Sequence, residues 1–371
     1  MSAARFFFFS DNQNANAGGV CLKLTDLGWN EELEESFLSY AQKGYFVGRV
    51  AADHRQKYKV YTEYGEKAAQ VAGKMHHQAE GRADYPVVGD WVVLQGERTG
   101  HSSVIQGVLP RWSKLSRKEA GLVTEEQIFA ANVDTVFLLM ALNNDFNLRR
   151  IERSLIAAWE SGANPVLVLT KADLCADVQS KMDEVSAIAL GVPIHVISSL
   201  SNQGMEALNP YLETGRTVVL LGSSGVGKST LVNKLLGEEV QVVQGVRAGD
   251  DKGRHTTTHR ELLPLPQGGL MIDTPGIREL QLWETSGGFD STFADIEILS
   301  SQCRFSDCQH REEPGCAVKS ALQEGKLSSE RLRSFQKLQR ELAHIAAKNG
   351  SRRKAKEGRR TKNKSKTGAQ H

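Results

Sequence analysis

The chain has 371 residues, 40% of them hydrophobic and 24% charged, with a formal net charge of only +2. That is an ordinary globular composition with room for two or three domains, and its five cysteines, three of them clustered late, argue against a disulfide framework and for a reduced cytoplasm. No apolar run approaches the roughly 20 residues of a membrane-spanning helix, so no membrane partner is expected.

The N-terminal segment MSAARFFFFSDNQNANAGG has too short an apolar stretch for a signal peptide. It reads as a disordered end, and Phe6–Phe9 have no physical account. The acidic run LGWNEELEESFLSYA that follows predicts a short helix capped by Asn30. Residues 1–43 are thus a leader.

From Gly44 the pattern changes to short strand-like runs: YFVGRVAAD, KYKVYTEY, EKAAQVAGKM, DWVVLQ and SSVIQGVL. Five such runs between Gly-, Asp- and His-rich turns predict a small barrel over 44–118, either oligonucleotide-binding or SH3-like. RWSKLSRK, Arg111–Lys118, adds four basic residues and a tryptophan. Cation plus aromatic suits RNA, and a solvated linker fits equally.

Over 119–285 apolar runs alternate with amphipathic helical segments. VDTVFLLMAL, PVLVLT, PIHVISS, TVVLLG and GLMID read as strands. Helices are expected over FNLRRIERSLIAAWESG, near 176–190, near 205–212 and from about Gly227. This is the signature of a doubly wound, mostly parallel sheet.

Strand TVVLLG, loop SSGVGKS and helix TLVNKLLG form a phosphate-binding loop in its required context. Its backbone, from Gly222 through Ser223, Ser224, Gly225, Val226 and Gly227, turns its N–H groups inward. Those donors and the start of the following helix, with Thr230 in its first turn, cradle phosphate. Lys228 reaches the β- and γ-phosphates, and the Ser229 hydroxyl ligates Mg²⁺. The loop comes late, because 221 residues precede Gly222.

The base-reading half lies upstream. LVLTKADL supplies Thr170-Lys171-Ala172-Asp173 where guanine readers carry Asn-Lys-x-Asp. A carboxylate at Asp173 accepts from guanine N1–H and N2–H₂, a pair that adenine does not offer. Lys171 lays its aliphatic stem along the base. Thr170 keeps a hydroxyl but loses the amide that ordinarily ties this loop to the phosphate loop. VISSLSNQG then buttresses the base through Ser198 and Ser199, with an N–H near Ser199 donating to guanine O6.

Downstream, GLMIDTPG places Asp273 to hold Mg²⁺ through a water and Gly276 to donate its N–H to the γ-phosphate. In GDDKGRHTTTHREL a threonine must close over Mg²⁺ and the γ-phosphate. Thr257 is favoured, with Thr256 and Thr258 open. The order is base reader, buttress, phosphate loop, switch I, switch II, a circular permutation of the usual GTPase order. Joined termini at a domain surface make such permutation tolerable.

CRFSDCQHREEPGC presents Cys303, Cys308, His310 and Cys316 within 14 residues. Three thiolates and an imidazole make a closed structural zinc set. Cys21 and Cys175 lie elsewhere as ordinary thiols. A helix with one apolar face at Leu332, Phe335, Leu338, Leu342 and Ile345 follows, giving a zinc-binding helical domain over 286–350. The last segment, 351–371, is expected to be disordered. Ser351–Lys366 holds nine Lys/Arg against one Glu, a local +8 that leaves −6 for the rest of the chain. It suits a polyanionic partner or simple solvation.

With these motifs in this order, the chain resembles the RsgA (YjeQ) family of small-ribosomal-subunit-dependent GTPases over roughly Gly44–Lys348. The resemblance rests on YPVVGDWV, TKAD, GSSGVGKST, GRHTTT, DTPG and CRFSDCQH…C. It implies a multidomain α/β protein: an oligonucleotide-binding barrel, a circularly permuted GTPase domain and a zinc domain. It implies a monomer that binds GTP and GDP, Mg²⁺ and one Zn²⁺. It also implies binding to the 30S subunit and its 16S rRNA late in maturation, with hydrolysis stimulated by the subunit and coupled to release. The departures are Thr170 and the longer leader. Where many GTPases carry a water-orienting glutamine this chain has Ile277, so His255 is the candidate replacement. Two rivals remain on the residues alone. A small-molecule kinase or ATPase leaves TKAD without a reason, and an RNA-binding protein with a regulatory nucleotide site leaves Lys228, Ser229 and Asp273 without one.

Overall fold

The computed structural model describes residues 23–54, 56–118, 126–237, 260–274, 287–311 and 313–347. They form two compact units. The first takes the described residues up to Asn147, then 161–183, then Gly191 to Thr274. The second takes Leu148–Glu160, Glu184–Leu190 and the described residues from Gly287 onward.

In the first unit, a 3-10 turn at Leu24–Leu27 leads to helix α1 (Glu31–Ala41). As expected, the Asn30 side chain caps α1 by accepting from Leu33 N–H. The five strand-like runs form β1 (Phe46–His54), β2 (Lys57–Thr62), β3 (Gly65–Val71), β4 (Trp91–Gln95) and β5 (Ser102–Val108), with helix α2 (Gly73–Gln78) between β3 and β4. They pair in the order β1-β2-β3-β5-β4 and close through β4 onto β1. The β3–β5 pair is parallel and the rest antiparallel. This is the oligonucleotide-binding arrangement of the two left open. Phe46, Val50, Val60, Val92, Leu94 and Ile105 fill it.

The basic segment after the barrel is neither a free linker nor irregular. It is strand β6 (Lys114–Lys118), paired antiparallel with β7 (Glu126–Ala131). Leu115, Ile128 and Phe129 are buried there, so the apolar residues, not the charges, decided the local structure.

Arg49 ties these parts together. It is fully buried, yet among the described residues it has no carboxylate in hydrogen-bonding contact. It donates to the carbonyls of Gly89 (3.1 Å), Leu27 (2.5 Å) and Asn132 (2.6 Å). Its guanidinium also stacks on Trp91, 5.8 Å from the ring centre. Burial lowers its pKa to about 10, against the opposing charges of Asp134 and Asp90, so it remains a cation at neutral pH.

Beyond the β6–β7 pair come β8 (Thr135–Ala141), α3 (Leu148–Glu160), β9 (Asn164–Thr170), α4 (Val178–Ser186), β10 (Ile194–Val196), β11 (Thr217–Gly222), α5 (Lys228–Leu236), β12 (Glu261–Pro264) and β13 (Leu270–Asp273). The sheet order is β10-β9-β8-β11-β13-β12, parallel except for β12. The phosphate-loop strand β11 is thus central, and Val218 and Leu220 sit in the core beside Phe137, Leu139, Val168 and Met271. Where a helix was expected near 205–212, Met205–Tyr211 is a 3-10 stretch containing Pro210, whose missing N–H disrupts the α-helical ladder. The antiparallel β12 pairs with barrel strand β1, making one sheet of eleven strands.

The second unit contains α3 and α4's last residues, with α6 (Gly287–Thr292), α7 (Ala294–Ser300), α8 (Ala317–Gln323) and a long helix α9 over residues 329–347. Phe289, Phe293 and Phe335 pack with ring centres 4.9–5.4 Å apart. Leu332, Phe335 and Leu338 are buried as expected. Arg331 of α9 is buried against Glu152 of α3 at 2.6 Å and Asp295 at 2.9 Å. Ser334 donates to the other Glu152 oxygen. Both Glu152 carboxylate oxygens therefore have hydrogen-bond partners inside the unit.

Candidate functional site

Parallel sheets build sites at the C-terminal ends of their strands. Here β8, β9, β11 and β13 bring four segments to one such edge. From β11 the chain turns through Gly222–Gly227 into α5. Gly225 (φ 76°) and Gly227 (φ 101°) hold left-handed conformations with open space around them. Glycine is needed there for backbone freedom rather than for room. Between them Val226 points the other way, 1% exposed, and anchors the loop in the core. Lys228, Ser229 and Thr230 form the first turn of α5, all partly exposed.

The base-reading segment leaves β9 at Thr170. Lys171 adopts a left-handed φ of 59°, which is uncommon for a residue with a Cβ and reverses the chain into a short 3-10 turn, Ala172–Leu174. Thr170 is 2% exposed. Its hydroxyl donates to the Val226 carbonyl of the phosphate loop at 2.6 Å. The expected loss of the tie between the two loops is therefore corrected. A threonine hydroxyl spans the gap because the end of β9 lies against Val226.

Asp173 Oδ1 accepts from the Ser198 hydroxyl at 2.6 Å. Ser198 is itself fixed, fully buried, by a reciprocal backbone bridge with Gln203 (3.0 and 3.1 Å). Its hydroxyl also accepts from Ser201 N–H at 3.3 Å. One oxygen of the Asp173 carboxylate is thus held by Ser198. Ser199 follows at the surface with Leu200, which is 81% exposed.

Asp273 ends β13 beside the phosphate-loop strand and is 7% exposed. A buried carboxylate and the Ser229 hydroxyl at the mouth of the loop are the hard oxygen donors that suit Mg²⁺. Gly276, Ile277, His255 and the three threonines Thr256, Thr257 and Thr258 lie outside the described residues, as do Cys21, Phe6–Phe9 and the tail after Lys348.

One contact has no counterpart among the sequence motifs. Ser223 of the phosphate loop donates to Asp145 Oδ2 at 2.7 Å. Asp145 stands in the loop after β8, where Asn143 Oδ1 caps its N–H at 3.0 Å. Its position at the carboxyl end of an apolar strand was the available signal.

In the second unit Cys303, Cys308, His310 and Cys316 converge, with one donor atom from each lying within 4.8 Å of the others. The Cys303 and Cys316 sulfurs are 3.9 Å apart, too far for a disulfide. His310 Nδ1 lies 3.7 Å from Cys303 Sγ and 3.5 Å from Cys316 Sγ. Tetrahedral Zn–S bonds of about 2.3 Å and Zn–N bonds of about 2.0 Å set these separations at about 3.8 Å and about 3.5 Å. The residues fit a metal ion. His310 sits in a left-handed turn (φ 57°), and its Nε2 is 3.0 Å from Ser300 Oγ at the end of α7. That outer bond turns Nδ1 toward the thiolates.

A profile of the RsgA GTPase family matches residues 108–283. The chain is 49% identical to the small ribosomal subunit biogenesis GTPase RsgA 2 of Lactiplantibacillus plantarum, over 82% of this chain and 85% of that protein. The chain belongs to the RsgA GTPase family. RsgA 1 of Oceanobacillus iheyensis is 48% identical over 82% of this chain and 88% of its own length. Two solved members are similar in structure. YjeQ from Thermotoga maritima superposes with a TM-score of 0.61 at 29% identity, covering 81% of this chain and 99% of that one. YloQ, described as a circularly permuted GTPase, gives 0.59 at 26% identity, covering 82% and 96%. In this chain the Thr170–Asp173 segment after β9 precedes the phosphate-loop strand β11. Among the described residues no helix is long and apolar enough to cross a membrane.

Proposed function

We propose that this chain is a GTP hydrolase of small ribosomal subunit biogenesis that turns over on the subunit itself. The observation that carries the nucleotide reading is the Thr170–Val226 bond. It joins the guanine reader to the phosphate loop across the permuted order, with Asp173 oriented by Ser198. A kinase or ATPase has no use for that carboxylate, because adenine presents no matching donor pair.

The phosphate-loop N–H groups and Lys228 bind and orient the phosphates. Ser229, Asp273 and Thr257 would hold Mg²⁺, which supplies charge neutralisation on the phosphates when bound. His255 orients the attacking water in place of Ile277, and Gly276 donates its N–H to the γ-phosphate. The Cys303/Cys308/His310/Cys316 set holds one structural Zn²⁺, which fixes a loop of the second unit. The barrel, the metal-bearing unit and the basic Ser351–Lys366 segment bind 16S rRNA of the 30S subunit late in its maturation, and hydrolysis triggers release of a monomeric protein. Such a phosphate-dominated grip weakens steeply with salt.

The test is GTP turnover with and without purified small subunits, with ATP as competitor. Stimulation of tenfold or more, unaffected by ATP, is expected. His255→Ala should keep GTP affinity and lose most of the stimulation. Turnover indifferent to subunits would favour a regulatory nucleotide site on an RNA-binding protein.

A further inference from the structure

The barrel and the nucleotide-binding sheet meet on a single rung. Lys59 of β2 pairs with Ala52 of β1, Ala52 with Glu261 of β12, and Glu261 with Asp273 of β13. Paired residues on neighbouring strands project to the same face, so one line of side chains runs from the barrel to the carboxylate at the nucleotide site. Ala52 is the pivot. A shift of register between Val50 and Ala52 bends β1 out of the barrel just before it meets β12.

The methyl of Ala52 leaves room above it, and Lys59 Nζ reaches across to Glu261 Oε1 at 3.2 Å. Glu66 Oε2, at 3.1 Å, holds the ammonium from the barrel side. Lys59 is thus clamped between one acid of the barrel and one of the nucleotide-binding sheet. On the other side of Glu261, Leu262 is fully buried. β12 is therefore packed on one face and ion-paired to the barrel on the other.

We infer that Lys59 and Glu261 are positioning residues that couple occupancy of the nucleotide site, felt at Asp273, to the conformation of barrel strands β1 and β2. The pair is partly exposed, so it adds little to global stability. Its effect is on the linkage between the two states: the nucleotide that draws on Asp273 biases the barrel, and the barrel's ligand biases nucleotide binding by the same factor. This rests on nucleotide binding beside Asp273, and not on which macromolecule the barrel grips.

The experiment is hydrogen exchange on the full chain with Mg²⁺ and either GDP or a non-hydrolysable GTP analogue, read on peptides covering residues 46–62. In the wild type, exchange there should differ threefold or more between the two states. Lys59→Met and Glu261→Gln should each flatten that difference while leaving basal GTP turnover within twofold. The double variant should be no worse than either single one, and Lys59→Arg should restore the difference. Equal exchange in both states of the wild type would overturn the inference, as would a difference that survives in both single variants. No ribosomal subunit enters this assay, so failure of subunit-stimulated turnover and failure of the coupling are separate results.

Discussion

Thr170→Val removes one hydroxyl at nearly constant volume. In the structure that hydroxyl is 2.6 Å from the Val226 carbonyl and 2% exposed as a residue. Valine leaves a buried acceptor without its donor, at about 1–3 kcal/mol. Where the cost falls is decided by what the bond joins. It holds the end of β9 against the phosphate loop, and on the function proposed above a nucleotide engages both. If the tie pre-organises them, its loss appears as weaker binding of GTP and GDP together. At about 1.4 kcal/mol per tenfold, a factor of roughly 5–150 is expected, with about thirtyfold as the central figure. Guanine selectivity should stay, because Asp173 and Ser198 are untouched, and Thr170→Asn should recover affinity through its amide. Titration with fluorescent GDP and GTP analogues measures this, with urea unfolding in parallel. Affinity within twofold of wild type would refute the reasoning, as would a loss of guanine-over-adenine preference in step with affinity.

Three further outcomes are expected. Asp173→Asn turns an acceptor into a donor facing guanine N1–H and N2–H₂, so GTP affinity should fall by roughly a hundredfold or more while xanthosine triphosphate, with an acceptor at C2, gains; competition binding reads both. Arg49→Met strands the carbonyls of Gly89, Leu27 and Asn132 and should cost about 3 kcal/mol or more in urea unfolding, with a loss under 1 kcal/mol counting against its role. Glu160 has a buried oxygen with no partner, and burial pushes its pKa up to about 7 from 4.5, opposed by the Gly288 N–H. The folded state therefore holds the proton more tightly than the unfolded chain. Its stabilising contribution is complete below pH 4.5 and lost as pH rises through about 7. The group is only half-buried, so after screening the wild type should lose on the order of 1 kcal/mol over that window relative to Glu160→Gln; parallel unfolding curves across pH 4.5–8 would contradict it.

The site was legible where chemistry demands fixed residue types at short spacing. Gly225 and Gly227 must take left-handed backbone, and both lie within one eight-residue motif. Three thiolates with one imidazole within 14 residues have few uses other than a metal, and they converge. What stayed hidden was set by contacts between distant residues. Thr170 meets Val226 across 56 positions, so a substitution that looks like a lost tie keeps it. Glu152 meets Arg331 across 179 positions. Nothing local in the amphipathic α3 announces that it groups with the metal-bearing unit. Strand β6 was obscured by its own charges, since only Leu115 of KLSRK is a strong apolar signal.

The barrel joins the sheet through its antiparallel edge strand, β12. An edge strand of a parallel sheet exposes unpaired N–H and C=O groups and invites further pairing. At one edge the chain limits this with a three-residue strand, β10. At the other, β12 turns back tightly into β13 through Leu265–Gly269, with Gly268 at φ 98°. That hairpin changes the edge from parallel to antiparallel. An antiparallel edge accepts a hairpin-built barrel directly, whereas a further parallel strand needs a crossover of a dozen or more residues. The β1 bulge then supplies the bend. Because β12 pairs with β13, the edge strand that receives the barrel is also the neighbour of the strand that carries Asp273. The barrel is thus attached one strand away from Asp273, and the other edge strand, β10, lies beside β9.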